Sequence, residues 1–263
     1  MPNNCNSLSE SPTTPAQDSY NVLVIGDGCE DHYHWGQVAR LNPEAPVPLL
    51  DHTHSETRAG MAWNVARNLE ALGVTTTQLI GHTGHKHRYM HQGSGRALLR
   101  MDQTQSAGPL CVEDVNWDVD AVVVSDYNKG SVTEEVYDHI RTRCPAPVFV
   151  DTKRHDLSPC GGMIVKLNQS EWSRAINREA PVGIVITLGD RGARWNDRVF
   201  PSSPVPTFDV CGAGDTFLAA LVWRYLSTQD IDHSIQFANR AAAVTVQHVG
   251  VYAPTLQEIE HDT

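Results

Sequence analysis

Short apolar runs punctuated by helical stretches constrain this chain more than any other feature. They lie at Val22–Ile25, Ala121–Val124, Val148–Val150, Met163–Leu167 and Ile184–Leu188. Runs of this length, rich in β-branched residues, suit strands buried on both faces of a parallel sheet. Between them, Gly60–Leu72, Thr133–Arg143 and Ser170–Arg178 read as helices, the first closed by Gly73 at a C′ position. Alternating strand and helix predicts an α/β fold, with a mostly parallel sheet covered on both faces. The carboxyl ends of the strands would present Asp27, Asp126, Asp151, Asn168 and Gly189 along one edge, where open α/β sheets bind ligands. Gly26-Asp-Gly28 lacks the third glycine of a dinucleotide fingerprint, and Pro43, Pro46 and Pro48 rule out an immediate long helix.

With 263 residues and 40% hydrophobic content, one α/β domain is expected over residues 20–263. Residues 1–19, rich in Ser, Thr, Pro and Asn, read as a disordered tail without the basic and apolar regions of a signal peptide. The formal charge of −11 argues against wide contact with nucleic acid or an anionic membrane. No apolar stretch approaches the roughly 18–20 residues of a membrane span. Six scattered cysteines show no zinc-ligand spacing, so a reducing cytoplasm is the expected setting. His52, His54, His82, His85, His87 and His91 invite a metal reading, but no acidic or cysteine partner stands at a recognisable spacing. They are expected to be exposed or hydrogen-bonded.

Chemistry concentrates in Asp209-Val-Cys-Gly-Ala-Gly-Asp215-Thr-Phe217. Gly212 and Gly214 let the backbone curl so that successive N–H groups converge at the start of a helix running on to Leu226. An anion placed there meets unpaired donors and the helix dipole together. Asp215 stands beside it, either as a proton acceptor for a hydroxyl nucleophile or as an ordinary capping residue.

With its flanks Phe208-Asp209-Val210 and Phe217–Val222, this run resembles the second signature of the ribokinase-like (PfkB) carbohydrate kinases. The resemblance implies that Asp215 is the catalytic base and that the Gly212, Ala213 and Gly214 amides hold the transferring phosphate. Arg58-Ala-Gly60-Met-Ala-Trp-Asn64-Val-Ala66 resembles the family's first signature, which implies sugar contacts from Gly60 and Asn64. Ala59 replaces its first glycine, adding a methyl group and penalising positive φ. Asn168 and Glu171 match an N-x-x-E motif tied to Mg²⁺ and phosphate, with Glu171 as an indirect metal contact; alone, the pair would read as a reciprocal helix cap. Thr187-Leu-Gly189-Asp-Arg-Gly192 resembles the turn beneath ATP, and Asn239 falls on the helix beside the adenine.

Val24–Asp27, Asp31-His-Tyr33, Asn42–Pro48, Val124–Gly130, Val150–Lys153 and Leu167–Glu171 are similar to the kinase half of bifunctional enzymes that phosphorylate and then nucleotide-activate heptose 7-phosphate. That similarity implies sugar contacts from Asp31, Asp126 and Lys129, a phosphate contact from Lys153, and phosphorylation at the C1 hydroxyl. The alternatives are a kinase for another sugar or nucleoside, and a non-catalytic sugar- or nucleotide-binding descendant. ATP and Mg²⁺ are the implied cofactors, and neither residues nor resemblance decides on a monovalent cation. A small β lid is expected near 31–52 and 84–103, through which relatives commonly dimerise. After Thr76–Ile80 one strand–helix unit of the family is missing, and Lys86–Met90 with Gln92–Gly95 read as a hairpin.

Overall fold

The structure, a computed structural model, describes residues 20–261, so the expected tail at 1–19 lies outside the described residues. The amino-terminal part comprises strands β1 (Asn21–Gln37) and β2 (Asp51–Met61), helix α1 (Ala62–Ala71), and strands β3 (Thr75–His91) and β4 (Arg96–Thr104). Then come β5 (Ala121–Asp126), α2 (Glu134–Arg143), β6 (Val148–Thr152), β7 (Ile164–Asn168), α3 (Gln169–Arg174) and β8 (Gly183–Thr187). β9 (Ala193–Trp195), β10 (Arg198–Phe200), α4 (Ala213–Thr228), α5 (Ile231–Thr245) and α6 (Leu256–His261) complete it. The strands form one ten-stranded sheet in the order β10-β9-β8-β7-β6-β5-β1-β3-β4, with β2 paired to β1. β3, β1, β5, β6, β7 and β8 run parallel, as the apolar runs predict.

Alternation along each buried strand divides the core. Val22, Val24, Ala121 and Val123 face α1, α4 and α5, where they meet Val65, Leu69, Leu218, Leu221 and Phe237. Their neighbours Leu23, Ile25, Val122 and Val124 point the other way, onto Val136, Tyr137 and Ile140 of α2. Successive side chains on a strand alternate faces, so a run apolar at every position needs a cover on both. α4 is buried without a break from Asp215 to Trp223, which fixes its amino-terminal turn against the sheet.

The largest departure from expectation is the length of β1 and β3. The apolar run Val22–Ile25 predicts a short strand, but β1 continues to Gln37, and Asn21–Gly36 pairs in parallel with β3 across one irregularity between Gly28 and Glu30. Both strands leave the core and become the centre of a lid, with β2 on one side and β4 on the other. The lid is therefore built from the carboxyl-terminal halves of β1 and β3 with β2 and β4, whereas most of 38–50, inside the expected segment, is loop. The β3–β4 hairpin turns at residues 92–95, as expected. β4 pairs only with Gly84–His91, so among the described residues no further strand flanks Thr76–Ile80, where the missing unit would lie. α3 ends at Arg174, short of the expected Arg178.

Candidate active site

The turn before α4 carries the left-handed residue that the glycine pattern demands. Gly212 has φ 79° and caps the helix, and a side chain there would meet Asn64 Nδ2 at 2.9 Å. Gly214 leaves room for a cation, since a Cβ would lie 2.9 Å from Lys166 Nζ. The Gly212–Gly214 backbone and Asp215 line a cavity of about 620 Å³ with Tyr127, Asp151, Lys153, Lys166, Asn168, Thr187 and Gly189.

Asp215 is buried at 7% exposure, accepting hydrogen bonds from Asn64 Nδ2 at 2.9 Å and Tyr127 Oη at 3.2 Å. Burial pushes its carboxyl up to about 6; Asn64 pulls it down, Asp151 adds to the rise, and Lys166 and Lys153 oppose it. A base tuned near the operating pH accepts a proton without holding it too tightly. Beneath it, Asp151 is clamped between Lys166 Nζ at 2.6 Å and Lys153 Nζ at 3.0 Å. Burial would raise the Asp151 carboxyl, but the two ammonium groups outweigh it and hold it at about 2.

Asn168 and Glu171 realise both readings of their motif. Asn168 Oδ1 accepts from the Glu171 N–H at 2.9 Å and Glu171 Oε2 from the Asn168 N–H at 2.7 Å, a reciprocal cap on α3. The second oxygen, Oε1, meets Lys153 Nζ at 2.6 Å. With both oxygens engaged, this donor set fits Mg²⁺ held through water on phosphate oxygens, not in an all-protein cage. Burial would lower the Lys153 ammonium's pKa, but Asp151 and Glu171 keep it above its ordinary value, so it stays charged.

A second cavity of about 500 Å³ adjoins the first and shares Thr187, Gly189, Val210 and Gly214 with it. Gly192, Phe217, Asn239, Ala242, Ala243 and Val246 give it a largely apolar wall of the kind that suits a nucleobase. Gly192, at φ 88°, admits no side chain, because a Cβ would lie 2.1 Å from Phe200 O. Asn239 lines this cavity, but its amide donates to Phe200 O at 2.9 Å and so fastens β10 to α5.

On the lid side, Asp31 is buried and accepts from Arg88 Nε at 3.1 Å. Gly60 packs on its other oxygen, where a Cβ would lie 2.4 Å from Asp31 Oδ2 and 2.8 Å from Cys29 Sγ. Arg88 also donates to Cys211 Sγ at 3.3 Å, which ties the lid to the glycine turn before α4. Lys86, two residues earlier on β3, stands over the Tyr127 ring at 5.7 Å and has no carboxylate within ion-pair distance among the described residues. Burial pushes the Cys29 thiol up to about 11, opposed by Lys86 and reinforced by Asp31 and Asp215.

Three expectations change. Asp126 is fully buried and held by Tyr137 Oη at 3.0 Å, Thr152 Oγ1 at 3.2 Å and Arg154 Nε at 2.6 Å, so its carboxylate braces the β5–β6 strand ends. Lys129 meets the fold through its backbone N–H, which donates to Asp27 at 3.1 Å, and lines neither cavity. Ala59 imposes no strain, because it lies within β2; the positive φ falls on Met61, at 59°. Lys166, Tyr127, Lys86 and Arg88 were missed. A lysine inside the apolar run Met163–Leu167 was the available signal for Lys166, and the alternation Lys86-His-Arg88 on a strand was the signal for the lid pair.

Residues 164–258 match the sequence pattern of the pfkB family carbohydrate kinases. Over 91% of its length the chain is 30% identical to the Bifunctional protein HldE of Nitratiruptor sp., covering 64% of that protein. It is also 30% identical over 92% of its length to the protein of the same name from Campylobacter fetus subsp. fetus, covering 66%. Residues 164–258 thus carry a pfkB family carbohydrate kinase domain. It spans just under two thirds of the length of these curated relatives. The Nitratiruptor alignment runs over 295 residues, more than the 263 of this chain, so that relative carries residues in the matched stretch without a counterpart here. Phosphofructokinase-2 from Escherichia coli in its tetrameric inhibited form superposes with a TM-score of 0.71 at 15% identity, over 92% of this chain and 97% of that one. Ribokinase from Thermotoga maritima gives 0.66 at 15% identity, over 92% and 98%. The fold is ribokinase-like.

Proposed function

We propose that this carbohydrate kinase transfers the γ-phosphoryl group of ATP to a hydroxyl of a sugar phosphate, with heptose 7-phosphate and its C1 hydroxyl as the leading acceptor. The observation that carries the proposal is the buried Asp215 carboxylate at the glycine turn, lining one cavity with Lys153 and Lys166. On the lid side, Asp31 is a buried carboxylate suited to accept sugar hydroxyls, and Lys86 is a cation with no ion pair among the described residues. Asp31 has an oxygen left for hydroxyl groups. Lys86 and Arg88 supply positive charge at the acceptor end, which favours an anionic sugar over a neutral one.

In this scheme the sugar lies under the lid, and ATP lies along the cavity bounded by Thr187, Gly189, Gly192 and Asn239 with its γ-phosphate at the Gly212–Gly214 amides. Asp215 takes the hydroxyl proton as the oxygen attacks phosphorus in line. The amides, Lys166 and Lys153 stabilise negative charge on the transferring group. Mg²⁺, held through water near Glu171 and Asn168, would neutralise phosphate charge.

ADP release measured against a panel of sugars and sugar phosphates tests this. Lys86→Ala should raise KM for the phosphorylated acceptor about 10–100-fold, the loss of one charged contact, and leave KM for ATP unchanged. Equal turnover of neutral sugars and sugar phosphates would overturn the acceptor assignment. Saturable binding of sugar and ATP without ADP release would overturn the kinase reading itself.

A homodimer through the lid belongs to the same proposal. β4 is exposed at every residue, with Leu98, Leu99 and Met101 along it, and an exposed edge strand is open to pairing with a second copy.

A further inference from the structure

The lid sheet has two chemically distinct faces. Asp31, Lys86 and Arg88 point toward the acceptor side, and their strand neighbours Glu30, His32, His34, His85 and His87 occupy the opposite face. None of these histidines takes part in the phosphoryl-transfer scheme. They are hydrogen-bonded, as expected of His85 and His87: His34 Nε2 meets His87 Nδ1 at 3.0 Å, and His87 Nε2 meets Gln103 Oε1 at 3.3 Å. Where β1 and β3 leave the core, a carboxylate that sequence spacing did not reveal joins them.

There Glu30 Oε2 lies 3.2 Å from His32 Nε2 and 3.3 Å from His85 Nδ1, and those two nitrogens are 3.0 Å apart. A tetrahedral ion with bonds of about 2.0–2.1 Å holds its ligand atoms roughly 3.3 Å from one another. The triangle therefore already has close to the dimensions of one face of such a site. His82 also offers a ring nitrogen within 4.8 Å of the Glu30 and His85 ligand atoms. The rings are oriented from outside: Thr57 Oγ1 binds His32 Nδ1 at 3.0 Å, and Gln105 Nε2 binds His82 Nδ1 at 3.0 Å. The Thr57 hydroxyl can accept from His32 Nδ1–H and leave Nε2 for the centre, the arrangement by which outer-shell groups orient metal-binding histidines. Side-chain exposures of 24% for His32, 38% for His85 and 42% for Glu30 leave an entry path.

We propose that Glu30, His32, His82 and His85 form a binding site for a divalent transition metal of the Zn²⁺ class at the root of the lid. Imidazole with a carboxylate suits zinc, nickel and copper better than magnesium or calcium, which prefer oxygen. The site bridges β1 to β3 across the irregularity in their register between Gly28 and Glu30, where regular pairing is broken. A bound ion replaces that missing restraint and fixes the strands that carry Asp31, Lys86 and Arg88.

Tag-free, chelator-treated full-length protein titrated calorimetrically with ZnCl₂ tests the assignment. One saturable equivalent is expected at the first step, and Co²⁺ in its place should give the intense visible bands of tetrahedral coordination. His85→Gln should abolish that equivalent. Thr57→Val, which removes only the ring support, should weaken it 10–100-fold. His91→Gln, outside the cluster, should leave it intact. Zinc should also slow amide exchange over residues 29–33 and 83–88. Absence of a saturable equivalent, its persistence in His85→Gln, or its equal loss in His91→Gln would each overturn the site. None of these readouts depends on phosphoryl transfer, so the metal site and the proposed activity stand or fall separately.

Discussion

Replacing Asp215 by asparagine should make the protein more stable while it loses turnover. The carboxyl is pushed from 3.8 to about 6, chiefly by burial, and that value already includes the opposing pull of Asn64, Lys166 and Lys153. At about 1.4 kcal/mol per pH unit, keeping it ionised at pH 7.5 costs the native state on the order of 3 kcal/mol. Asparagine is nearly the same shape, and its carboxamide can accept from Asn64 and donate to the Tyr127 oxygen, so most of that cost should be recovered. For a domain near this size the gain corresponds to roughly 6–12 °C in Tm. The sign with pH follows from linkage. The native state binds this proton more tightly than the unfolded chain, so the wild type loses stability as pH rises from about 4 through 6. The asparagine variant should show no advantage below pH 4, a growing one between 4 and 6, and a constant one above. Urea unfolding of both proteins at pH 4, 5, 6 and 7.5 gives the curve, and a steady-state assay should show kcat reduced by roughly two to four orders of magnitude. A pH-independent stability difference, or a variant less stable at 7.5, would refute the buried-base argument. Near-normal turnover would refute the catalytic one.

Wild-type kcat should rise with pH through about 6 as Asp215 ionises, and a profile flat from pH 5 to 8 would count against it. Lys166→Met leaves the buried Asp151 with Lys153 alone, so unfolding free energy should fall by about 3–5 kcal/mol along with kcat, as judged by denaturation and turnover. Gly60→Ala places a methyl group 2.4 Å from Asp31 Oδ2, which should raise KM for the sugar while KM for ATP stays constant in initial-rate kinetics. Glu171→Gln should shift the Mg²⁺ dependence of the rate to higher concentration, as a free-Mg²⁺ titration would show, since the charge beside Lys153 is lost. Leu99→Glu, on the exposed β4, should shift sedimentation from dimer to monomer if the lid joins two copies.

Local chemistry was legible where a residue's job is set by its immediate neighbours in the chain. The parallel core followed from runs such as Val22–Ile25, because a strand apolar at every position has no alternative to burial on both faces. The left-handed Gly212 and the Asn168–Glu171 cap followed likewise, being contacts between residues a few positions apart. Contacts across the sheet were not legible. Asp126 and Lys129 stand at a strand end in a matched motif, which gives no sign of the burial of Asp126 against Tyr137 and Arg154 or of the backbone contacts of Lys129 to Asp27 and Ser106.

Sequence by itself determined that this chain builds a doubly covered parallel sheet and sets a glycine turn with an acid at the start of a buried helix. Tertiary structure decided the electrical character of that turn. Asp151, Lys153 and Lys166 come from β6, the segment after it, and β7, and only their packing under Gly214 creates the paired cations and the raised Asp215 carboxyl. It also decided that β1 and β3 run on from the core into the lid, carrying Asp31, Lys86 and Arg88 on one face and histidines on the other. Charge and hydrogen bonding act over a few ångströms of space, whereas sequence records only order along the chain.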